Sequence, residues 1–364
     1  MNAAATGSIA HRTGPVLITG GAGFIGTNLA ARLLDSGRAV LLYDNLSRPG
    51  VERNLAWLRE RHPQQLQVVI ADIRDRDRVR EAVAQASQVF HLAAQVAVTS
   101  SLDDPREDFE INLGGTLNVL EAMRALERPP SLLFTSTNKV YGGLEDVALE
   151  MTGSRYQPLA TELRTNGIGE ARPLDFHSPY GCSKGGADQY VLDYVRSYGL
   201  PAALFRMSCI YGPHQCGNED QGWVAHFMRR ALHGEPITLY GDGHQVRDIL
   251  FVDDLVDAFL RCQARMHELR GRAFNIGGGP RNALSLLDVL KRIEALTGRA
   301  PQLTHGPWRV GDQRWYVSDT RAFSAATGWS AAVDAHDGIA RLHDWLAAAR
   351  ATAPAPALAR THAA

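Results

Sequence analysis

From Pro15 onward the chain alternates short, wholly apolar runs with longer stretches whose apolar residues recur every three to four positions. The runs "PVLITG", "AVLLYD", "LQVVIAD", "QVFHLAA", "SLLFTS" and "PAALFRM" are rich in Val, Ile and Leu, and each gives way to polar residues at its end. Runs of that length with no polar face predict strands covered on both sides, the habit of parallel sheets. Stretches such as "GTNLAARLLDSG" and "GGTLNVLEAMRAL" between them carry helical spacing. The alternation predicts an α/β fold, a doubly wound parallel sheet of the Rossmann type. In such sheets ligands bind beyond the carboxyl ends of the strands, so the polar residues closing each run are where chemistry is expected.

The regularity loosens after about residue 206. A Gly-rich polar loop, a helix around "VAHFMRRALHG", the segment "ITLYGDGHQVRDILFVDDLVDAFL" and two amphipathic helices, "LSLLDVLKRIEALTG" and "HDGIARLHDWLAAA", follow. They predict a smaller C-terminal lobe, residues 206–346, with a boundary the chain crosses more than once. The sheet domain is expected over 14–205, a flexible start over 1–13, and a flexible Ala-, Thr- and Pro-rich tail over 347–364. A length of 364 residues suits two such units.

Charge narrows the partners. With 38 basic and 39 acidic residues, neither nucleic acid nor an anionic membrane is expected as a bulk partner. The N-terminus has no apolar signal core and no window approaches a membrane span. Cys182, Cys209, Cys216 and Cys262 form no CxxC pair, which fits a reduced, cytoplasmic setting. The thirteen histidines show no metal-ligand spacing, so no metal is expected.

The first apolar run leads into "GGAGFIG", placing Gly20, Gly23 and Gly26 between a strand and a helix, with Phe24 and Ile25 in the turn. The glycines allow the tight turn, the approach of a pyrophosphate, and the packing of helix on strand. The helix start offers free N–H groups to phosphate oxygens. The second run ends in Asp44, followed by Asn45, Ser47 and Arg48. A carboxylate there accepts from adenosine ribose hydroxyls and repels a 2′-phosphate, which selects NAD over NADP. Asp72 and Ile73 after the third run are placed to flank the adenine. Leu92, Ala93, Ala94 and Gln95 after the fourth lie where a dinucleotide crosses the sheet.

In "SPYGCSKGGADQYVLDYV", Tyr180 and Lys184 are four residues apart and share a helix face. A phenol with a pKa near 10 is a poor base at neutral pH, and a nearby ammonium favours its ionised form. Thr137, closing the fifth run, is placed to orient the same reacting hydroxyl. Together the three residues predict an alcohol-oxidising centre, Tyr180 taking the proton while NAD takes the hydride.

"GGAGFIG", "YDN", "HLAAQ", "STNKVYG", "YGCSK", "IYGP" and "QVRDILFVDD" together resemble the extended short-chain dehydrogenase/reductase family, in particular its NAD-dependent nucleotide-sugar epimerases and dehydratases, over about residues 15 to 346. The resemblance implies Thr137, Tyr180 and Lys184 as catalytic triad, Tyr180 and Lys184 also touching the cofactor, and a nucleotide sugar held by the C-terminal lobe. It implies a homodimer or homotetramer built on the helices of "LGGTLNVLEAMRAL" and Tyr180. The family's 4,6-dehydratases carry an Asp-Glu pair after the catalytic Thr to shuttle protons. Asn138 and Lys139 stand there instead. An amide moves no protons near neutral pH and an ammonium is a poor base, so dehydration is not expected. Asn138 and Lys139 are expected to bind and polarise the substrate, the other reading of Lys139 being structural.

What remains is oxidation and re-reduction of one carbinol, an epimerisation. With the insert 143–176, "LDFHSPYGCSKG", "EDQGWV" and "QVRD", the resemblance extends to a subgroup acting at C2 of CDP-dideoxyhexoses (CDP-paratose and CDP-tyvelose). The alternative is C4 epimerisation of a UDP- or GDP-sugar. Arg247 and Arg314 carry forks suited to a diphosphate, with ion pairs to Asp248 or Asp312 as the other reading. Cys209 stands where the wider family often has a phosphate-contacting Asn, leaving Ser208 as the nearby candidate. Gln221 and Trp223 are further candidates for the sugar or base.

Overall fold

A computed structural model describes residues 12–352. Most of the predicted flexible start and tail lies outside the described residues; the final helix, Ala335–Thr352, runs past residue 346.

Seven parallel strands form the central sheet: β1 (Val16–Thr19), β2 (Val40–Asp44), β3 (Leu66–Ile70), β4 (Gln88–His91), β5 (Ser131–Thr137), β6 (Ala202–Met207) and β7 (Ala273–Ile276). Their order is β7-β6-β5-β4-β1-β2-β3, so the winding reverses between β1 and β4. Why the runs are continuously apolar follows from the pleat. Val16, Ile18, Val40, Leu42, Phe90, Leu133 and Phe205 pack on one face with helices Phe24–Asp35, Val51–Arg61 and Val252–Ala264. Leu17, Leu41, Tyr43, Val89, Leu132, Phe134 and Leu204 pack on the other with helices Arg76–Gln85, Gly115–Arg124 and Ser178–Tyr198. Strand β3 differs from its prediction. It is the sheet edge, and Ile70 is 57% exposed.

The smaller lobe centres on strand Val246–Phe251, which pairs with Cys209–Tyr211, Ala283–Ser285 and Trp315–Tyr316. Helices Trp223–His233, Leu286–Thr297 and Ala335–Thr352 cover it. The second of these starts at a capping box, Ser285 and Asp288 each accepting the other's backbone N–H at 3.0 Å. The chain crosses between lobes repeatedly. Helix Val252–Ala264 and strand β7 return to the large sheet, whereas the insert 143–176 leaves it for the small lobe. The insert holds an antiparallel hairpin, Leu149–Thr152 with Arg155–Pro158, and buries Leu144, Val147 and Ile168 against Val246, Trp315 and Tyr316.

Candidate active site

The turn after β1 leaves no room for a Cβ at Gly20, Gly21 or Gly26. Gly20 has φ +68°, and a Cβ there would sit 2.8 Å from the Ala93 nitrogen. A Cβ on Gly26 would lie 2.4 Å from the Gly20 carbonyl oxygen, which is how closely helix Phe24–Asp35 approaches the strand. Gly23 caps that helix with no side chain to occupy its first N–H groups, leaving them for an anion. Asp44 closes β2 with its carboxylate beside the loop: Oδ2 accepts from Ala22 N at 3.0 Å and Oδ1 from Leu46 N at 2.8 Å. Burial raises its pKa and these amides work against that rise. A cradle that excludes a Cβ at Gly20 and Gly26, next to a carboxylate, fits a dinucleotide with free ribose hydroxyls.

The neighbouring candidates divide. Asn45 donates to Asp72 at 2.9 Å, and Arg74 with Asn45 holds the Asp72 carboxyl down to about 2. Ser47 and Arg48 are exposed on the loop beyond. The Ile73 side chain points into the core, where it packs on Gly115, so it does not flank a ligand through that side chain. Gln95 spends its amide within its own turn, on both backbone groups of Ala97. Leu92 and Ala93 donate their N–H groups to Thr19 Oγ1, each at 3.2 Å. Thr19 in turn meets His91 Nδ1 at 2.6 Å, and His91 Nε2 meets Thr116 at 3.1 Å. Burial, then the Lys184 charge, brings His91 down to about 3, so it stays neutral and fixes the 92–94 crossing. Sequence reasoning passed over this histidine because it reads as part of a strand.

Tyr180 and Lys184 lie on the first turns of helix Ser178–Tyr198, both buried. Tyr180 N donates to Ser101 Oγ at 3.2 Å, which pins the helix start. Burial pushes the phenol up to about 12; Thr137 as hydrogen-bond partner and then Arg48 pull it down, while Asp108 raises it. Burial brings Lys184 down to about 7, offset by Asp188 and Asp108, and its ammonium stands 4.3 Å from the Phe134 ring centre. Behind the pair, Asn112 donates to Asp108 Oδ1, Ser183 Oγ and Gln95 O, each at 3.0 Å. A π turn over Glu110–Gly114 carries Asn112. No sequence period announces that extra-wide turn.

Beyond this centre lies a cavity of about 570 Å³ between sheet and small lobe. Thr137 and Tyr180 border it, with Phe24 and Ile25 from the cofactor side. Asn138, Lys139, Ser208, Gln221, Trp223 and Arg247 also line it, which brings most of the predicted substrate set into one wall. Asn138 donates to Gln313 at 3.3 Å. Lys139 Nζ donates to Gly311 O at 3.1 Å and Asp312 Oδ1 at 3.3 Å, and Arg247 meets the same Oδ1 at 2.7 Å. Ser208 bonds the Asp248 carboxylate and backbone, and Trp223 Nε1 meets Cys209 Sγ at 3.5 Å. Arg314 is placed elsewhere: it is exposed, lies over the rings of Tyr156 and Trp308, and does not line this cavity. Arg309, five residues earlier in "WRVGDQRW", lines it instead, 4.0 Å from the Tyr240 ring centre and paired with Asp220 at 3.2 Å. In a loop without regular alternation nothing in the sequence separates these two arginines. Five buried polar atoms of the wall, Thr99 Oγ1, Ser136 Oγ, Gln215 Oε1, His226 Nδ1 and Gln245 Oε1, have no protein partner, as befits a wall built for a polar ligand. Among the described residues no group of His, Cys, Asp or Glu is placed to hold a metal, and no helix is long and apolar enough to cross a membrane.

Sheet order and glycine cradle define a dinucleotide-binding enzyme fold, with Thr137 and Tyr180 bordering one cavity beside the cradle. The chain belongs to the NAD dependent epimerase/dehydratase family, which it matches over residues 16–277. It is 43% identical over 337 residues, 91% of this chain and 98% of the relative, to a CDP-paratose 2-epimerase of Salmonella typhi. It is 31% identical to a putative UDP-glucose 4-epimerase of Methanocaldococcus jannaschii, covering 91% of this chain and 98% of that one. The UDP-glucose 4-epimerase of Thermus thermophilus, solved in complex with NAD, superposes with a TM-score of 0.76 at 33% identity, covering 92% of this chain and 99% of that one.

Proposed function

We propose that the protein epimerises C2 of a CDP-dideoxyhexose, interconverting CDP-paratose and CDP-tyvelose. The observation that carries this reading is the wall beside Thr137. Its next two residues are an amide and an ammonium, both engaged with the 311–313 segment, so neither of these two positions offers a carboxyl to shuttle protons for dehydration. The 43% identity to a C2 epimerase over nearly the whole chain favours the same carbon and the same nucleotide.

Bound NAD supplies a hydride acceptor that later becomes the donor. The chain's residues do the rest. Thr137 orients the C2 hydroxyl and the Tyr180 oxygen takes its proton as the C–H bond is lost. Lys184 and Arg48 are the cations on hand for the phenolate. After the keto-sugar turns over, Tyr180 returns the proton to oxygen as hydride re-enters from the other face. No net oxidant is consumed. A C2 ketone neighbours the carbon bearing the diphosphate, so the bound sugar must keep water from it until reduction is complete.

The 31–33% identity to UDP-glucose 4-epimerases supports a second reading, C4 epimerisation of a UDP-sugar. Exposed Leu102, Phe109, Tyr190 and Tyr198, on and beside the helices that carry Tyr180 and Asn112, favour a homodimer formed there, and a cytoplasmic setting suits such a substrate. The test is incubation with CDP-paratose in deuterated water without added cofactor. CDP-tyvelose retaining its C2 hydrogen in the proton NMR spectrum supports the reading. No turnover of CDP-paratose alongside turnover of UDP-glucose replaces it with the second.

A further inference from the structure

One residue, Asn138, separates the redox threonine Thr137 from a cation, Lys139, and that cation reaches Arg247 of the small lobe through Asp312. Thr137 Oγ1 accepts the Lys139 N–H at 3.2 Å, so the tight turn Asn138–Tyr141 holds the two together. The Lys139 ammonium then shares one carboxylate oxygen of Asp312 with Arg247. Two cations thus face one anion in the cavity wall, and the cluster has an excess positive charge available to a ligand. Burial lowers the Lys139 pKa and Asp312 opposes this, as expected of an ammonium held in a wall rather than in bulk solvent. An anion drawn to this cluster is drawn up against the redox turn.

In a nucleotide sugar the anion is the diphosphate on C1. The carbon next to it is C2, whereas C4 lies across the ring. An enzyme that oxidises C4 needs a ring's width between its diphosphate cations and its redox hydroxyls. Here the redox turn itself carries a cation, Lys139, tied through Asp312 to Arg247.

We propose that Lys139 is the specificity-determining residue for the reacting carbon: anchored by Asp312 and the Gly311 carbonyl, it binds the diphosphate oxygen nearest the sugar and so presents C2, not C4, to Thr137 and Tyr180. The proposal rests on the C2 reading above. It explains why an ammonium stands directly after the redox threonine and its amide neighbour.

CDP-paratose carries two ring carbinols, at C2 and C4, so the choice can be read directly. Wild type and Lys139→Met, each with its bound NAD confirmed, are incubated with CDP-paratose and quenched with borodeuteride. The reagent delivers deuteride to whichever carbon is a ketone, and NMR locates the label. Wild type is expected to place deuterium at C2. Lys139→Met is expected to lower the C2-to-C4 label ratio at least tenfold, and Lys139→Arg to preserve it. A merely structural lysine would reduce the amount of label without moving it. Should Lys139→Met fail to fold, Lys139→Gln keeps a donor toward Gly311 without the charge and reads the same ratio. Label confined to C2 in wild type and both neutral variants overturns the assignment of Lys139 alone. Label at C4 in wild type overturns the C2 reading and the lysine's role with it.

Discussion

Lys184 stands at 3% exposure, and burial holds its pKa at about 7 against an ordinary 10.5. At neutral pH the unfolded chain binds nearly a full proton on this amine and the folded chain about half of one. Its contribution to stability is therefore most unfavourable below pH 7, and the penalty fades as pH rises from about 7 to 10.5. A gap of roughly 3.5 pKa units at 1.36 kcal/mol each is on the order of 4–5 kcal/mol. Lys184→Met keeps the stem over Phe134 and drops the amine. With NAD stripped from both proteins, urea unfolding at pH 7 should find the variant more stable. That advantage should shrink by about 3–4 kcal/mol at pH 10, at unchanged m value. Activity should fall by about 100-fold or more, so that stability is gained where function is lost. A difference that stays constant with pH, or a variant less stable at pH 7, would refute the claim that the ammonium is desolvated.

Other perturbations follow from the same geometry. Asp44→Asn removes the negative charge beside the glycine loop; calorimetry should show NAD binding weakened by roughly 10–100-fold and discrimination against NADP reduced. Gly26→Ala forces a methyl to within 2.4 Å of the Gly20 carbonyl oxygen, and should lose about 1–3 kcal/mol in denaturant titration together with co-purifying NAD. Arg206 makes paired bonds of 2.9 and 3.0 Å to Asp188, which is fully buried. Arg206→Met should cost about 3–5 kcal/mol, and adding Asp188→Leu should restore most of it, because the penalty is the carboxylate left alone.

The sheet was readable in the sequence because both its faces are covered, which makes each strand an uninterrupted apolar run. The same logic misled at β3, whose run is as apolar as the others although it forms the edge with Ile70 outside. Apolarity reports average environment, not rank in the sheet. Thr137 was singled out by its position after a strand and Tyr180 and Lys184 by their helical spacing, and the structure sets Thr137 and Tyr180 on one cavity. Their electrostatics were not readable, since the balance between burial, Arg48 and Asp108 depends on segments far apart in the chain. His91 and Asn112 escaped notice for opposite reasons: one hides in a strand run, the other in a π turn with no period of its own. Ile73 shows the converse, a side chain after a strand that faces the core instead of the ligand.

The insert closes upon itself: Asp175 N donates to Val140 O at 2.9 Å, so the chain leaves and re-enters the sheet domain at one point. Everything between is a detour of hairpin and short helix resting on the small lobe. Such an excursion, whose ends already touch, can change length and content at little entropic cost to the rest of the fold. Thr137 and Tyr180 stand on either side of its neck. A lineage, or an engineer, can therefore swap this cartridge to remodel the sugar chamber while the cofactor cradle and the Tyr-Lys helix keep their places.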